Sequence, residues 1–137
     1  MHTTNYFNTL IRVSPDCPVL EGDVPTKLGT IASLQYEKLI GAPYRMTSDA
    51  LLFEIHAERN NIAEDELSAA REAFFSKGQP CMRSSPLVKR HGWGVHFDAA
   101  GKIALCGAGS ARYQELVTDD GVNKIVGMRL RRVNVEG

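Results

Sequence analysis

Residues 93–106, WGVHFDAAGKIALC, contain two short strand-forming runs on either side of a tight turn. The runs 93–98 and 102–106 carry aromatic and β-branched side chains, and the turn between them ends at Gly101. Glycine adopts the left-handed backbone conformation of such a turn at little cost. The pattern therefore predicts a β-hairpin.

The segments around this hairpin alternate between strand and helix patterns. Further strands are predicted at residues 5–13, 51–59 and 124–133. Helices are predicted at residues 31–40, 61–77, 86–91 and 111–117, and a loop at residues 14–29. Because a hairpin lies among helices, we expect an α+β class. The expected architecture is a single domain over residues 1–137, with a mixed, mainly antiparallel sheet of about five strands and helices packed on it.

The composition is that of an ordinary globular protein, with 43% apolar and 23% charged residues in a chain of 137. The 16 basic residues balance the 16 acidic ones, which gives no global attraction to nucleic acid or to an anionic membrane. The N-terminus lacks the basic region of a signal peptide, and no window approaches the length of a membrane span. We therefore expect a soluble cytoplasmic protein with no membrane partner.

The three cysteines, Cys17, Cys81 and Cys106, lie far apart in the chain. Their spacings match no zinc motif, and an odd number favours reduced thiols over a disulfide framework. We therefore predict no metal site, and the residues identify no cofactor.

The segment 74–97, FFSKGQPCMRSSPLVKRHGWGVHF, has no Asp or Glu although the whole chain is charge-balanced. Ser85 and Pro86 can begin a helix inside it, and the first amides of a helix can bind a phosphate or a carboxylate. The segment therefore predicts a site for a small anionic ligand such as a phosphorylated metabolite. The predicted ligand-binding residues are Lys77, Arg83, Ser84, Ser85, Lys89, Arg90, His91 and His96.

Two of these residues, His91 and His96, are also candidate catalytic groups, because imidazole exchanges protons near neutral pH. Enzymatic turnover of the ligand therefore stays open. The alternative is a solvated basic surface whose glycines and prolines only shape turns. Trp93 is predicted to be a core residue, since no other aromatic residue alternates with the cations, and nucleic acid is not the favoured partner.

A second candidate site is the C-x-x-G-x-x-R segment from Cys106 to Arg112. It lies between a predicted strand and a predicted helix, like the anion-binding loop of cysteine phosphatases and sulfurtransferases. There, backbone amides lower the pKa of the thiol and the arginine binds the oxyanion. Here Leu105 precedes the cysteine where a histidine would be expected, and the strand belongs to a hairpin. Cys106 and Arg112 are therefore candidate catalytic residues, with a chance match as the alternative.

Two other charged groups are present. Glu54, His56 and Glu58 lie on one face of the predicted strand 51–59, which a solvent-facing surface explains better than a proton relay or a metal site. The second group is an arginine cluster, Arg129, Arg131 and Arg132. Two of its members, Arg129 and Arg131, lie on one face of the predicted strand and could pair with the two carboxylates across the sheet, whereas a phosphate site or an oligomer contact is not favoured.

Four stretches carry a further resemblance: TTNYFNTLI (3–11), TSDALLF (47–53), FFSKGQPCMRSSPL (74–87) and KRHGWGVH (89–96). They resemble a small bacterial and fungal family that is known only as a domain of unknown function. The resemblance covers most of the chain and implies a single-domain soluble protein. It implies no activity, cofactor or catalytic residue. It also weakens the phosphatase interpretation, because that family is not one of the known cysteine phosphatases.

Three classes of function stay open from the sequence. The first is the binding of a small anionic ligand, with or without turnover, at residues 77–96. The second is a cysteine-dependent enzyme of the phosphatase or sulfurtransferase type at Cys106 and Arg112. The third is a protein–protein interaction module or homodimer without catalysis, formed by the loop 14–29 and the basic segment.

Overall fold

The computed structural model describes residues 1–131 and contains one four-stranded sheet with helices on both faces. The strands are β1 (Thr9–Arg12), β2 (Trp93–Phe97), β3 (Ile103–Gly107) and β4 (Asn123–Val126). The helices are α1 (Ile31–Ile40), α2 (Ser48–Arg59), α3 (Leu67–Phe74), α4 (Pro86–Arg90) and α5 (Ala111–Thr118), with 3₁₀ turns at Glu64–Glu66 and Met82–Ser84. The α+β class is confirmed, whereas the described part of the chain has four strands and not the five expected.

The strand order across the sheet is β3-β2-β1-β4. β2 pairs antiparallel with both of its neighbours, while β4 runs parallel to β1. The sheet is therefore mixed and mainly antiparallel, as expected.

The predicted hairpin is confirmed, because β2 and β3 pair along their whole lengths. In the turn, the Asp98 carboxylate accepts hydrogen bonds from the amides of Ala100 and Lys102, both at 2.9 Å. Gly101 has a φ of 79°. An aspartate turn that closes on a left-handed glycine thus fixes the register of the two strands.

The sheet separates two hydrophobic clusters. One face packs against α1, α2 and α4 through Ile11, Leu39, Leu51, Ile55, Val88, Val95, Phe97 and Ile103. The other face packs against α5 through Leu10, Cys106, Tyr113 and Leu116. Full burial of one large apolar side chain contributes about 1.5–3 kcal/mol, so the two clusters hold the helices against the sheet.

The strand predicted at residues 51–59 is wrong, because this segment belongs to the helix α2. The Thr47 hydroxyl caps the helix by accepting the Ala50 amide at 3.1 Å. The buried residues Leu51 and Ile55 are four positions apart, a spacing that fits a helical stripe as well as an alternating strand. The apolar spacing therefore fits either a strand or a helix, and the cap at Thr47 favours the helix.

The helical conformation separates His56 from the carboxylates of Glu54 and Glu58. The two glutamates are one turn apart, and both contact Lys38 Nζ, at 3.2 and 2.7 Å. His56 lies on another side of the helix, where it lines a cavity. The predicted common face of these three residues is therefore wrong.

Asn61 and Glu64 have the spacing of a capping box, but no side-chain cap forms there, and α3 is shorter than the predicted range 61–77. Asn61 has a left-handed φ of 49°. The neighbouring Asn60 amide donates to the His56 carbonyl at 3.1 Å. These asparagines therefore close α2 and do not start the next helix.

β4 is shorter than the predicted strand 124–133, whose last two residues lie outside the described part of the chain. The chain leaves the sheet at Gly127, where an added Cβ would lie 2.2 Å from a methyl carbon of Val88. The next amide, that of Met128, donates to the Arg83 carbonyl at 2.9 Å. The path beyond the strand is thus set by contact with the segment before α4.

The two described members of the predicted arginine cluster do not lie on the sheet. Arg129 and Arg131 follow β4 and are exposed, and Arg132 lies outside the described residues. The carboxylates of α2 contact Lys38 instead. The predicted pairing across the sheet is therefore wrong.

The loop predicted at residues 14–29 is confirmed, and it runs along one end of β2. Trp93 Nε1 donates to the Asp23 carbonyl at 2.9 Å. The indole ring lies against Gly22 and 5.5 Å from the ring of Tyr36. Trp93 therefore anchors the loop from a half-buried position and is not a fully buried core residue.

Candidate functional site

The structure distributes the predicted ligand-binding residues over more than one surface, because their segment spans the end of α3, α4 and β2. Five of them line one groove, namely Lys77, Ser84, Ser85, Arg90 and His91. The other three, Arg83, Lys89 and His96, lie outside it. The acid-free segment is therefore only partly a single site.

The groove consists of three adjoining depressions. The central cleft holds about 320 Å³ and lies between α1, α2, the end of α3 and the start of α4. It shares Ile31 and Pro86 with a depression of about 300 Å³, which we call the Arg90 end. It shares His56, Phe74 and Gln79 with a third depression, which we call the Lys77 end. The shared residues make the three depressions one continuous surface.

The central cleft combines apolar walls with a limited set of polar groups. Its apolar walls are Ile31, Leu52, Ile55, Phe74, Pro80 and Pro86. Its polar groups are Gln35, His56, Arg59, Asn60, Gln79, Ser84 and Ser85. Such a lining is typical of sites that bind small molecules.

Ser85 connects the start of α4 to the cleft. Its hydroxyl oxygen accepts the Leu87 amide at 3.1 Å, which caps the helix, and its proton is donated to Gln35 Oε1 at 2.5 Å. Gln35 is only 3% exposed, yet it lines the cleft. The Ser85 hydroxyl thus forms its hydrogen bonds within the protein, and Gln35 provides the polar group that lines the cleft at this position.

The Arg90 end lies at the first turn of α1. Its charged and polar lining residues are Thr26, Lys27, Thr30, Arg90 and His91. The Thr30 hydroxyl accepts the Ser33 amide at 3.2 Å. The amides of Ile31 and Ala32 precede the Ser33 amide and have no hydrogen-bond partner within α1. Both residues line this depression, so the positive end of the helix dipole adds to the two cations there.

His91 has unused hydrogen-bonding capacity at the Arg90 end. Its Nδ1 atom is buried and has no hydrogen-bond partner among residues 1–131. A carboxylate oxygen of Asp23 lies 3.6 Å away, beyond hydrogen-bond distance. Leaving a buried polar atom unpaired costs free energy, and the charged group beside this nitrogen is the Asp23 carboxylate.

The fixed charges that the described residues bring to the groove are all positive. No Asp or Glu of the described chain lines any of the three depressions. The cations that line them are Lys27, Arg59, Lys77 and Arg90. Within residues 1–131, none of the four forms an ion pair with a carboxylate. Uncompensated positive charge on a concave surface attracts anions.

Arg83 and Lys89 lie outside the groove. Arg83 Nε donates to the Val126 carbonyl at 2.8 Å, which ties the segment before α4 to the end of β4. Lys89 is half-buried on α4. The contacts of Arg83 give it a structural role, so its predicted role in ligand binding is not supported by its position.

His96 lies on the sheet face that α5 covers, away from the groove. Its Nδ1 atom is 2.6 Å from the Tyr44 hydroxyl. Burial, followed by the charge of Arg112, lowers the pKa of His96. The neutral imidazole that results can accept the hydrogen bond from the phenol. The sheet therefore separates His96 from His91.

The Cys106 segment lacks the features of an activated cysteine loop. Burial raises the pKa of the Cys106 thiol to about 11, although Arg112 acts in the opposite direction. The amides of Ala108 and Ser110 donate to loop carbonyls at 2.9 and 3.1 Å, so they are not free to bind an oxyanion. Arg112 also contacts Glu115 at 3.3 Å. This geometry disfavours a thiolate nucleophile.

The sequence did not indicate the groove residues Lys27, Gln35, Arg59 and Gln79, and it grouped His56 with Glu54 and Glu58 instead. A helical interpretation of residues 51–59 would have placed Leu52, Ile55 and Arg59 on one face, at positions three and four apart. No comparable local signal exists for Lys27 or Gln35. They reach the groove through packing between distant segments.

Two structural features are absent from the described part of the chain. Residues 1–131 contain no helix with the length and apolar character that crossing a membrane requires. In the same range, no group of three or more His, Cys, Asp or Glu side chains could hold a metal ion.

Comparison with known proteins gives one match. A family model described as a family of unknown function (DUF6157) matches residues 1–133. No curated protein and no solved structure matches the chain significantly.

Proposed function

The chain belongs to the family of unknown function DUF6157, and we propose that it binds a small anionic ligand, such as a phosphorylated metabolite, in the groove. The anionic group lies at the Arg90 end and the body of the ligand lies in the central cleft. The observation that carries the proposal is the absence of Asp and Glu from the described lining, together with four cations that pair with no carboxylate in residues 1–131.

The Arg90 end suits the anionic group best because two kinds of donor meet there. Lys27 and Arg90 supply fixed charge, and the first amides of α1 supply the helix dipole. One hydrogen bond to a charged group contributes about 1.5–3 kcal/mol. Loss of one such contact should therefore weaken binding about tenfold or more.

The test is calorimetric titration of the protein with inorganic phosphate, ribose 5-phosphate, sugar phosphates and mononucleotides. We expect saturable binding of at least one phosphorylated compound, weakened at higher ionic strength because surface charge is screened. Arg90→Gln and Lys27→Gln should each reduce the affinity about tenfold or more.

Arg45→Gln is the matched control, since Arg45 is exposed and lies outside the groove. It should leave the affinity unchanged. Absence of binding by every compound, or an affinity that Arg90→Gln and Lys27→Gln do not change, would overturn the proposal.

A further inference from the structure

The central cleft contains two glutamines whose amide orientations are fixed by their neighbours. The Ser85 oxygen accepts the Leu87 amide and the Ser85 proton is donated to Gln35, so the bonded Gln35 atom is the carbonyl oxygen. Gln79 Nε2 donates to the Phe74 carbonyl at 2.7 Å. A carbonyl can only accept, so this atom is the amide nitrogen.

The fixed orientations leave one donor group and one acceptor for a ligand. No acceptor for Gln35 Nε2 and no donor for Gln79 Oε1 is found among residues 1–131. Gln35 Nε2 and Gln79 Oε1 are not fully enclosed by the protein. Both side chains line the cleft. A buried glutamine N–H and a second glutamine's C=O thus face the same cavity.

We propose that the ligand of the groove is a mononucleotide whose base occupies the central cleft between Gln35 and Gln79. Every nucleobase carries a hydrogen-bond acceptor next to a donor on one edge, which matches this pair of amides. This inference rests on the proposed function, since the phosphate of the same ligand lies at the Arg90 end.

One wall of the cleft is aromatic. The His56 and Phe74 rings pack on each other, 4.6 Å apart and tilted by 34°, and both line the cleft. Aromatic side chains stack on the faces of nucleobases. The central cleft holds about 320 Å³, at the lower end of the usual range for small-molecule sites, which suits a single base.

Ligands without a base would form no hydrogen bond with Gln35 or Gln79. Each such bond contributes about 0.5–1.5 kcal/mol, so the two together strengthen the binding of a base about tenfold. The groove should therefore prefer mononucleotides over phosphates that lack a heterocycle.

The test compares four mononucleotides (AMP, GMP, CMP and UMP) with ribose 5-phosphate by calorimetry, in the wild type and in Gln79→Leu. We expect at least one mononucleotide to bind tenfold or more tightly than ribose 5-phosphate. Gln79→Leu should lower the affinity for that mononucleotide more than the affinity for ribose 5-phosphate, and so remove this preference. Gln114→Leu, at an exposed position on α5, is the control and should change neither affinity.

The outcomes separate this inference from the proposed function. Equal affinities for ribose 5-phosphate and all four mononucleotides, or a preference that survives Gln79→Leu, would overturn the nucleotide assignment while anion binding stands. Absence of binding by all five compounds would overturn both.

Discussion

His96 lies in a buried position against the Tyr44 hydroxyl, and this burial makes its charged form costly. The pKa of His96 is lowered from its usual 6.5, first by burial and then by the charge of Arg112. Below pH 6.5 the unfolded chain therefore binds a proton at this position more readily than the folded chain does. The stability associated with neutral His96 is present above pH 6.5 and is lost as the pH falls through the lower folded-state pKa.

This linkage predicts that His96→Asn flattens the acid side of the stability profile. The asparagine oxygen can still accept from Tyr44, but the side chain does not titrate. The measurement is the free energy of unfolding in urea at pH 7.5 and pH 5.5. The difference between the two values should be smaller in His96→Asn than in the wild type. His2→Asn, at an exposed position, should retain the wild-type difference, and an equal loss in both variants would contradict the account of His96.

Cys106 should be nearly inert toward alkylation in the native protein. Its pKa rises from 9.0 to about 11, so the thiolate fraction at pH 7.5 falls about 100-fold relative to an ordinary thiol. Limited access through the α5 interface slows the reaction further. Site-resolved mass spectrometry after iodoacetamide treatment, with the urea-unfolded chain as control, measures this ratio. Labelling as fast in the folded chain as in the unfolded one would instead restore the cysteine-enzyme hypothesis.

At the scale of the elements, the link between α4 and β2 places Arg90 and His91 beside the loop 14–29. The Asp23 amide donates to the His91 carbonyl at 2.7 Å. Gly92 follows in a left-handed conformation with a φ of 73°. An added Cβ there would lie 2.3 Å from the backbone oxygen of Glu21. Only glycine allows the loop to approach this closely.

Gly92→Ala should therefore destabilise the protein more than Gly29→Ala. Gly29 has a similar φ of 78°, but nothing lies within 4 Å of its added Cβ. Both substitutions incur the left-handed strain of about 1–2 kcal/mol, and only Gly92→Ala adds a clash with the backbone, at about 1–3 kcal/mol more. Urea unfolding of the two variants measures the difference. Equal losses in stability would show that the loop does not pack on Gly92.

For the whole molecule, the sequence predicted the features that depend on a few neighbouring residues. The helices that begin after Thr30 and Ser110 and the turn at Gly101 form as predicted, because a cap or a turn is built from contacts within four positions. The strand at 51–59 failed because its apolar spacing fits two periods. The parallel pairing of β4 with β1 joins segments more than a hundred residues apart, which no local pattern encodes.

The difference between local and long-range contacts also explains which residues of the candidate site the sequence could reveal. Arg90 and His91 belong to a visible charge anomaly, so the sequence could find them. Lys27, Gln35 and Arg59 come from three other segments, and only tertiary packing brings them to the groove. In the sequence, Arg83 and Arg90 are equivalent candidates. In the structure, the Arg83 guanidinium donates a hydrogen bond to the Val126 carbonyl. Tertiary contacts therefore determine whether the charge of a surface arginine is available to a ligand.

The most direct test of the groove as an anion site is an NMR titration of the ¹⁵N-labelled protein with ribose 5-phosphate. Saturable shifts are predicted for the amides of Ile31, Ala32 and His91, with smaller changes in the central cleft. The amides around Ser110 and Arg112, on the other face of the sheet, should not move. No saturable shifts at all, or shifts centred on Ser110 and Arg112, would contradict the account.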